Sequence, residues 1–250
     1  MQNEYPQTFA RFYDLIYHQV RNNVDHDFFI DEITRTKGKV LEIGVGTGRF
    51  FTEALNRGAD IYGLDISPFM IQVLLSKLSP VHQPRITLQN IVDFHYDFQF
   101  DLIVAPFRVF MHILDKASQI KALNNVFRHL NTGGKFIIDL FIPDLKQLIQ
   151  GLDHQTDFEG EYEAGKKVRR IVSTRPDLIK QLINVTFRIE WDEANTVRCE
   201  DWEIPMRFFF RYELEHLIER SDFKDYRIMG DYSGNELNEK SKEFIVICKR

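Results

Sequence analysis

Short apolar segments alternate with helical patterns through the first 140 residues, and this alternation constrains the fold more than any other feature of the sequence. The segments with strand character are residues 39–43, 61–65, 85–89, 101–105 and 135–141. They are almost entirely apolar, as strands buried on both faces of a sheet are. Consecutive parallel strands need crossover connections, which helices usually supply. The alternation therefore predicts an α/β fold with a mainly parallel sheet and helices on both faces.

Residues that typically begin or end helices support this division into strands and helices. Serine is a good helix cap and proline fits the first helical turn, so Ser67-Pro68 marks the start of one of the intervening helices. Gly58 is expected to end the helix before it, and the Asn-Thr-Gly-Gly run at residues 131–134 is expected to end the helix that precedes the fifth strand.

The pattern changes after about residue 154. Residues 183–191 alternate between apolar and polar side chains, which is typical of an antiparallel strand with one buried face. Residues 197–206 are the predicted partner strand, with a bulge at Glu200-Asp201 where the alternation slips. A further strand is expected within residues 165–173, and its basic run, residues 166–170, is interpreted as a solvated edge.

The parallel pattern is expected to resume toward the end of the chain. A helix around Leu214 is followed by two predicted strands, residues 226–229 and 243–248, which bring the core sheet to seven strands. We therefore predict a Rossmann-like core made of residues 1–154 and 211–250. Residues 155–210 are predicted to form a small antiparallel cap inserted into it.

Composition narrows the class of protein. Hydrophobic residues make up 44% and charged residues 28% of the chain, which predicts a globular protein, and the start of the sequence does not resemble a signal peptide, so a cytoplasmic location is expected. The net charge of −5 argues against a nucleic-acid partner, and no apolar run approaches the roughly 20 residues of a membrane span. Cys199 and Cys248 lie in no metal-binding pattern, so neither a metal nor a disulfide framework is expected.

The most informative segment, residues 40–48, consists of a strand, a glycine turn and the start of a helix. Glycine lets the backbone bend and lets a ligand approach closely, and amides at a helix start favour an anionic group. The turn carries Gly44, Gly46 and Gly48, and Arg49 stands where a dinucleotide-binding turn has its third glycine. The phosphate-loop pattern is also absent, so the turn fits neither of these two common sites.

Acidic residues define the ligand further. Glu42 precedes the glycines by two positions, and Asp65 ends the next predicted strand. A carboxylate at the tip of the second strand can accept hydrogen bonds from both hydroxyls of a ribose. The arrangement therefore predicts a ligand that contains a ribose.

These residues resemble a known family. The pattern Glu42-x-Gly44-x-Gly46-x-Gly48, together with Asp65, resembles the class I S-adenosylmethionine-dependent methyltransferases. Residues 100–104 resemble the fourth strand of that family, and residues 129–136 resemble its helix, turn and fifth strand. The early tyrosine segment, residues 13–17, and the antiparallel insertion resemble the subgroup that acts on small molecules, such as glycine and amino-sugar N-methyltransferases.

The resemblance implies a site for S-adenosylmethionine. It implies that the three glycines shape the turn beside the methionine part, that Glu42 organises the turn and receives the amino group, and that Asp65 holds the ribose hydroxyls. The other residues that it implies as cofactor contacts are Tyr13, Ile66, Met70, Asn90, Ile91 and Pro106. Asn90 stands where the family often has an acid that faces the adenine, so the charge is lost there while an acceptor is kept.

Methyl transfer from a sulfonium mainly requires alignment of a nucleophile and exclusion of water. In this architecture the segment after the fourth strand, residues 105–112, is expected to face the methyl group. His112 is a candidate proton acceptor, Arg108 a candidate for binding a substrate carboxylate or phosphate, and Tyr17 a third catalytic candidate. Each candidate has an alternative interpretation. His112 is then a partly exposed helix residue or a cofactor contact, Arg108 forms a surface salt bridge, and Tyr17 fastens the first helix to the core.

The antiparallel insertion offers a possible substrate lid, formed by Trp191, Trp202 and Arg207, although such residues also serve as the packed face of a hairpin. The predicted function is transfer of a methyl group from S-adenosylmethionine to N or O of a small molecule, by a monomer or homodimer. The alternatives are a protein or RNA methyltransferase, a non-catalytic cofactor-binding protein and a nicotinamide-dependent oxidoreductase. The glycine spacing disfavours the oxidoreductase.

Overall fold

The computed structural model describes residues 5–20 and 24–250. Its α-helices are α1 (Gln7–Val20), α2 (Val24–Arg35), α3 (Phe51–Asn56), α4 (Pro68–Lys77), α5 (Lys116–His129), α6 (Leu145–Gln150) and α7 (Arg211–Glu219). The strands are β1 (Lys39–Ile43), β2 (Asp60–Asp65), β3 (Ile86–Leu88), β4 (Phe100–Ala105), β5 (Leu130–Phe141), β6 (Leu152–Glu163), β7 (Lys166–Asp177), β8 (Leu182–Glu193), β9 (Thr196–Arg207), β10 (Asp225–Met229) and β11 (Glu243–Lys249).

The larger sheet has seven strands in the order β10-β11-β5-β4-β1-β2-β3. Strand β1 pairs in parallel with β2 and β4, and the outer pairs β2–β3 and β4–β5 are parallel too. The predicted α/β class with a mainly parallel seven-stranded sheet is confirmed. The expectation that the parallel pattern resumes at the end of the chain is wrong for β11, which runs antiparallel to both β5 and β10.

Helices cover both faces of this sheet because its strands are apolar on both faces. Val40 packs in one buried cluster with Phe29 of α2 and Leu74 of α4. Its neighbour Leu41 packs in a second cluster, with Leu123 of α5 among its members. Successive side chains of a strand point to opposite faces, so a continuous apolar run fills two cores at once. The central strands are thereby held at fixed positions between two helical layers.

The second sheet is antiparallel, in the order β6-β7-β8-β9. The register of β8 and β9 runs from Leu182 opposite Arg207 to Glu193 opposite Thr196 without a shift. The predicted bulge at Glu200-Asp201 is therefore wrong, and the register shifts lie between β6 and β7 instead. Apolar Val197 and Cys199 lie on the exposed side of β9, which produced the apparent slip in the alternation.

The basic run at residues 166–170 is not an edge, because β7 lies between β6 and β8. Strand β6 was not predicted as an element: its sequence is polar, and Phe158 is its buried residue. The short helix α6 was not predicted either. The antiparallel sheet covers residues 152–207, while the division of the chain into a core and an inserted cap stays a prediction.

Helix α1 joins the second sheet to the core. Its buried face contributes Phe9, Phe12 and Ile16 to a cluster with Val168 and Ile189 of the second sheet. Its other side approaches the glycine turn, where Thr47 Oγ1 donates to Asp14 Oδ1 at 2.6 Å. None of the helices in the described ranges is both long and apolar enough to cross a membrane.

Candidate functional site

A cavity of about 420 Å³ opens at the carboxyl ends of the parallel strands. Ligands of open α/β sheets bind at this edge, where the strand order reverses. The walls combine three parts: the strand ends with their loops, the segment around α1, and the start of α5. The lining residues used below are Tyr5, Tyr13, Glu42, Gly44, Gly46, Arg49, Asp65, Ile66, Met70, Asn90, Ile91, Pro106, Phe107, Val109, His112, Asp115 and Ser118.

The glycine turn has the backbone that its sequence requires. Gly44, Gly46 and Gly48 have φ values of +71°, +55° and +89°, which favour glycine. A Cβ on Gly44 would lie 2.4 Å from Val109 Cγ2, and one on Gly48 would lie 2.3 Å from Leu74 Cδ1. Gly44 and Gly46 line the cavity, whereas Gly48 lies behind it against α4. The geometry therefore gives Gly48 a packing position and does not bring it to the ligand.

Asp65 ends β2 and fixes the turn from the next strand. Its Oδ2 accepts a hydrogen bond from the Gly46 amide at 2.9 Å, and its Oδ1 accepts one from the Ser67 amide at 2.8 Å. Burial raises the pKa of this carboxyl, while the backbone hydrogen bonds lower it. Each carboxylate oxygen can accept a second hydrogen bond, so Asp65 keeps acceptors for hydroxyl groups in the cavity.

Glu42 lines the cavity and is 1% exposed. Burial raises its pKa well above the ordinary value, although the guanidinium of Arg49 lowers it. Among residues 5–20 and 24–250, its buried Oε2 has no hydrogen-bond partner. A buried carboxylate oxygen is costly without a donor, and an ammonium group supplies both a donor and a charge. The site therefore fits the amino group of an S-adenosylmethionine molecule.

Arg49 is a lining residue whose position the sequence did not reveal. Its two terminal nitrogens lie 2.8 and 2.9 Å from the two carboxylate oxygens of Asp25 on α2. The guanidinium also lies 4.7 Å from the centre of the Phe50 ring. In the sequence Arg49 marked only a departure from the dinucleotide pattern. Asp25 belongs to a different helix, and no local motif connects the two residues.

Aromatic residues of the N-terminal segment cover the cavity. Tyr13 lines it, and its ring centre lies 4.3 Å from that of Tyr17 and 5.6 Å from that of Tyr5. Tyr5 lines the cavity too but was not predicted. Tyr5, Phe9 and Tyr13 are spaced four residues apart, as side chains on one face of a helix are. This spacing is the sequence signal that would have placed Tyr5 beside Tyr13.

Tyr17 is adjacent to the cavity but is not among its lining residues. Its ring packs against Phe107 at 5.3 Å, and the Arg170 guanidinium lies 4.7 Å from its centre. Arg170 is buried and forms two hydrogen bonds with Asp157, at 3.0 and 2.8 Å. The geometry therefore gives no support to a catalytic role for Tyr17, because its ring does not line the cavity.

The loop after β4 brings Pro106, Phe107, Val109 and His112 to the cavity. His112 ends a short 3-10 helix, Val109–His112, and donates a hydrogen bond to the carbonyl of Pro205 in β9. Burial lowers its pKa to about 4. The imidazole is therefore neutral near pH 7 and has one nitrogen able to accept a proton.

The position of Arg108 contradicts the expectation that it binds a substrate carboxylate or phosphate. Its guanidinium lies 2.9 Å from Glu243 Oε1 and 5.1 Å from the centre of the Phe141 ring. It is not among the lining residues of the cavity. The residue adopts a left-handed backbone with φ of +65°, and its side chain pairs with β5 and β11. A role in binding substrate at this cavity has no geometric support.

The remaining predicted cofactor contacts, Ile66, Met70, Asn90 and Ile91, all line the cavity, and their roles stay predictions. Asp115 and Ser118 at the start of α5 line it as well and were not predicted. Asp115 caps α5 by accepting from the Ser118 amide at 2.9 Å.

The three residues proposed as a lid do not line the cavity. Trp202 packs on Tyr5 with ring centres 4.3 Å apart, and Arg207 pairs with Glu213 at 2.7 Å. Trp191 packs on Phe12 of α1, with ring centres 6.0 Å apart. They therefore support α1 and the sheet end from behind the cavity wall.

Residues 40–134 match the model of the methyltransferase domain family. A relative, an uncharacterized methyltransferase of Bacillus cereus, is 29% identical over 130 residues. The matched residues are 52% of this chain and 59% of that protein, so the chain spans about three fifths of the relative's length.

Solved structures extend the similarity to the whole fold. An S-adenosylmethionine-dependent methyltransferase from Clostridium acetobutylicum has a TM-score of 0.73 at 22% identity, covering 97% of both chains. CalS10 from Micromonospora echinaspora, an amino pentose methyltransferase solved with S-adenosylmethionine bound, has a TM-score of 0.69 at 17% identity, covering 100% of both chains. At such identities these structures establish the fold.

The predicted resemblance to the class I S-adenosylmethionine-dependent methyltransferases is thus confirmed: residues 40–134 match the methyltransferase-domain model, and the fold is shared with a solved methyltransferase. S-adenosylmethionine, the predicted cofactor, is the ligand bound in the CalS10 structure, which has the same fold.

Proposed function

We propose that the protein transfers a methyl group from S-adenosylmethionine to a nitrogen or oxygen atom of a small molecule and releases S-adenosylhomocysteine. One observation carries the proposal: Glu42 Oε2, buried on the cavity wall, has no hydrogen-bond partner in the described parts of the chain. Asp65 faces the same cavity from the end of the adjacent strand. Two carboxylates beside a glycine turn match the amino group and the ribose of this cofactor.

In this proposal Glu42 receives the ammonium group and Asp65 receives the ribose hydroxyls. Met70, Ile91 and Asn90 surround the adenosine. The bound cofactor supplies an activated methyl group, so the task of the chain is to bind, orient and exclude water. Tyr5 and Tyr13 serve the last purpose, because they cover the glycine turn from the N-terminal segment.

His112 is the residue of the cavity wall suited to hold a proton. Its hydrogen bond to the Pro205 carbonyl fixes the ring, and burial keeps the ring neutral at pH 7. If the nucleophile arrives protonated, His112 takes that proton as a general base. We propose no direct role for Arg108 or Tyr17 in this step, because neither lines the cavity.

A small substrate suits this site because the methyl acceptor would share a cavity of about 420 Å³ with the cofactor. Amino sugars are the first class to test, since CalS10, which shares the complete fold, is an amino pentose methyltransferase. Asp115 at the start of α5 offers a carboxylate for an amine at the cavity wall.

The binding test compares thermal unfolding with S-adenosylmethionine, S-adenosylhomocysteine and NAD. A ligand at about 100 times its Kd adds roughly 2.7 kcal/mol to the free energy of unfolding. We expect the first two ligands to raise the Tm and NAD to leave it unchanged. A rise with NAD alone would contradict the proposal.

The transfer test supplies labelled S-adenosylmethionine with amino sugars, other amines, phenols and carboxylates, and in parallel with protein and RNA fractions. We expect label in a small molecule. Label in macromolecules would reassign the substrate class, and tight cofactor binding without any transfer would indicate a non-catalytic binding protein.

A further inference from the structure

The loop after β4 contains two consecutive residues with left-handed backbones, Phe107 with φ of +60° and Arg108 with φ of +65°. Neither is glycine, and such conformations persist only where the surrounding structure enforces them. The loop contributes Phe107 to the cavity wall, and Val109 packs against the glycine turn at Gly44. Something outside the loop must therefore hold it in place.

The residues that hold it lie on β5, on β11 and after β10. The amide of Arg108 donates to Asp139 Oδ1 at 3.3 Å, and the guanidinium donates to Glu243 Oε1 at 2.9 Å. The hydroxyl of Tyr232 donates to Asp139 Oδ2 at 2.9 Å. Asp139 is 1% exposed, so its charge depends on these donors.

This group of residues also reaches the glycine-turn side of the site. The ring of Tyr232 packs against Phe29 of α2 at 6.3 Å, and Phe29 packs against Phe50 at 5.5 Å. Arg49, the neighbour of Phe50, pairs with Asp25 on the same helix α2. A continuous set of packed side chains therefore joins the loop after β4 to the segment that follows the glycine turn.

We infer that Asp139 and Tyr232 are positioning residues: through the Arg108 amide they hold the strained backbone of Phe107 and Arg108, and so set the cavity wall at which the methyl acceptor must align. The inference rests on the proposed methyl transfer. It gives Arg108 a role through its backbone and its ion pair with Glu243, in place of substrate binding.

The first measurement is the kinetics of Tyr232→Phe, which removes one hydroxyl from a buried carboxylate. Loss of a hydrogen bond to a charged group is expected to lower kcat about tenfold, with less than about a twofold change in KM for S-adenosylmethionine. Tyr226→Phe is the matched control. Its hydroxyl lies at the same 2.9 Å from an exposed carboxylate, Glu219 Oε1, and its loss should leave kcat unchanged.

A rescue series separates positioning from simple destabilisation. Asp139→Asn keeps an oxygen that can accept from the Arg108 amide, so it should keep more of kcat than Asp139→Ala at temperatures where both are folded. Equal kcat in wild type and Tyr232→Phe would overturn the inference. So would a loss of kcat in Tyr232→Phe that Tyr226→Phe reproduces.

Hydrogen exchange provides a measurement that needs no substrate. In Tyr232→Phe, the amides of residues 107–109 should exchange about tenfold faster than in wild type, while those of β1 keep their rates. Unchanged exchange in the loop would overturn the inference even if turnover falls. If wild type shows no transfer at all, the proposed function fails, and the exchange measurement still decides the role of Asp139 and Tyr232.

Discussion

The two sides of the cavity are built in different ways. The floor consists of the β1 end, the glycine turn and Asp65, all within residues 40–65. It is held by backbone groups, such as the Gly44 amide that donates to Leu64 O at 2.8 Å. The roof consists of the N-terminal tyrosines and the loop after β4, with the second sheet packed behind the tyrosines, and it is held by side chains from distant parts of the chain.

The difference in construction corresponds to two proposed tasks: the floor binds the cofactor, and the roof determines which methyl acceptor can align. In the proposed function, a floor made of backbone amides and two carboxylates binds the amino group and the ribose of S-adenosylmethionine, which are the same whatever the methyl acceptor. A roof made of side chains can change shape by substitution without disturbing the parallel sheet. We therefore expect substitutions in the floor to change cofactor affinity, and substitutions in the roof to change stability and acceptor chemistry.

The largest expected effect is in the roof, at Arg170→Met. Removing one partner of a buried ion pair leaves Asp157 uncompensated and typically costs about 3–5 kcal/mol. Arg170 is 5% exposed in its side chain, and it also packs on the rings of Tyr17 and Phe187. Urea denaturation measures the loss.

The matched control is Arg169→Met on the same strand. Arg169 pairs with Glu190 at 2.6 Å but is 50% exposed in its side chain, so its loss should cost no more than about 1 kcal/mol. Equal losses for the two variants would mean that the roof does not depend on the buried pair.

The next effect is on the pH dependence of the free energy of unfolding, to which His112 in the roof and Glu42 in the floor contribute with opposite signs. The lowered pKa of His112, about 4, means that the unfolded chain binds a proton more readily between pH 4 and pH 6.5. Its contribution to stability is therefore complete above pH 6.5 and is lost as the pH falls toward 4, by about 3 kcal/mol in total. The raised pKa of Glu42 acts in the reverse sense, favouring the folded state at low pH.

Two variants test these signs in the protein without cofactor. Between pH 7 and pH 4, His112→Gln should lose about 3 kcal/mol less stability than wild type, because the glutamine does not titrate. Glu42→Gln should lose more than wild type over the same interval. Chemical denaturation at both pH values gives the differences, and shifts of the same sign in both variants would contradict the assignment.

The floor was predictable from the sequence because its signals are local. Gly44 and Asp65 stand at the ends of adjacent strands, and the sequence alone locates both strands to within one residue. The cap of α4 was predictable for the same reason, and Ser67 does accept a hydrogen bond from the Met70 amide. Such features depend on a few neighbouring residues and on the topology of parallel strands.

The roof was predicted less well because its residues acquire their positions from distant partners. Arg170 belongs to a basic run typical of an exposed edge, but it is buried against Asp157 on the neighbouring strand and the rings of Tyr17 and Phe187. Arg108 and His112 were chosen for their chemistry, but the left-handed backbone at Phe107 and Arg108 decides where they point. No glycine marks that turn in the sequence.

A floor variant with an intermediate effect is Asp65→Ala. It removes the acceptor proposed for the ribose and frees the Gly46 amide, so cofactor affinity should fall by about 1–3 kcal/mol. Calorimetric titration with S-adenosylhomocysteine measures this. Asp60→Ala, at the opposite end of β2 where Asp60 pairs with Lys39 and Arg85, should leave the affinity unchanged. An unchanged affinity in Asp65→Ala would refute its role in the floor.

The smallest expected effect lies where the two sides meet, at Ser67→Ala. Ser67 Oγ accepts from the Met70 amide at 3.4 Å and donates to the Tyr5 carbonyl at 2.9 Å, so one hydroxyl caps α4 and holds the N-terminal segment over the cavity. Loss of a helix cap costs about 1 kcal/mol.

The control is Asp144→Ala, which removes the cap of α6, far along the chain from the cavity residues, at a similar cost. Only Ser67→Ala should also weaken binding of S-adenosylhomocysteine, because Tyr5 loses its attachment to the floor. Equal affinities in the two variants would mean that floor and roof bind the cofactor independently.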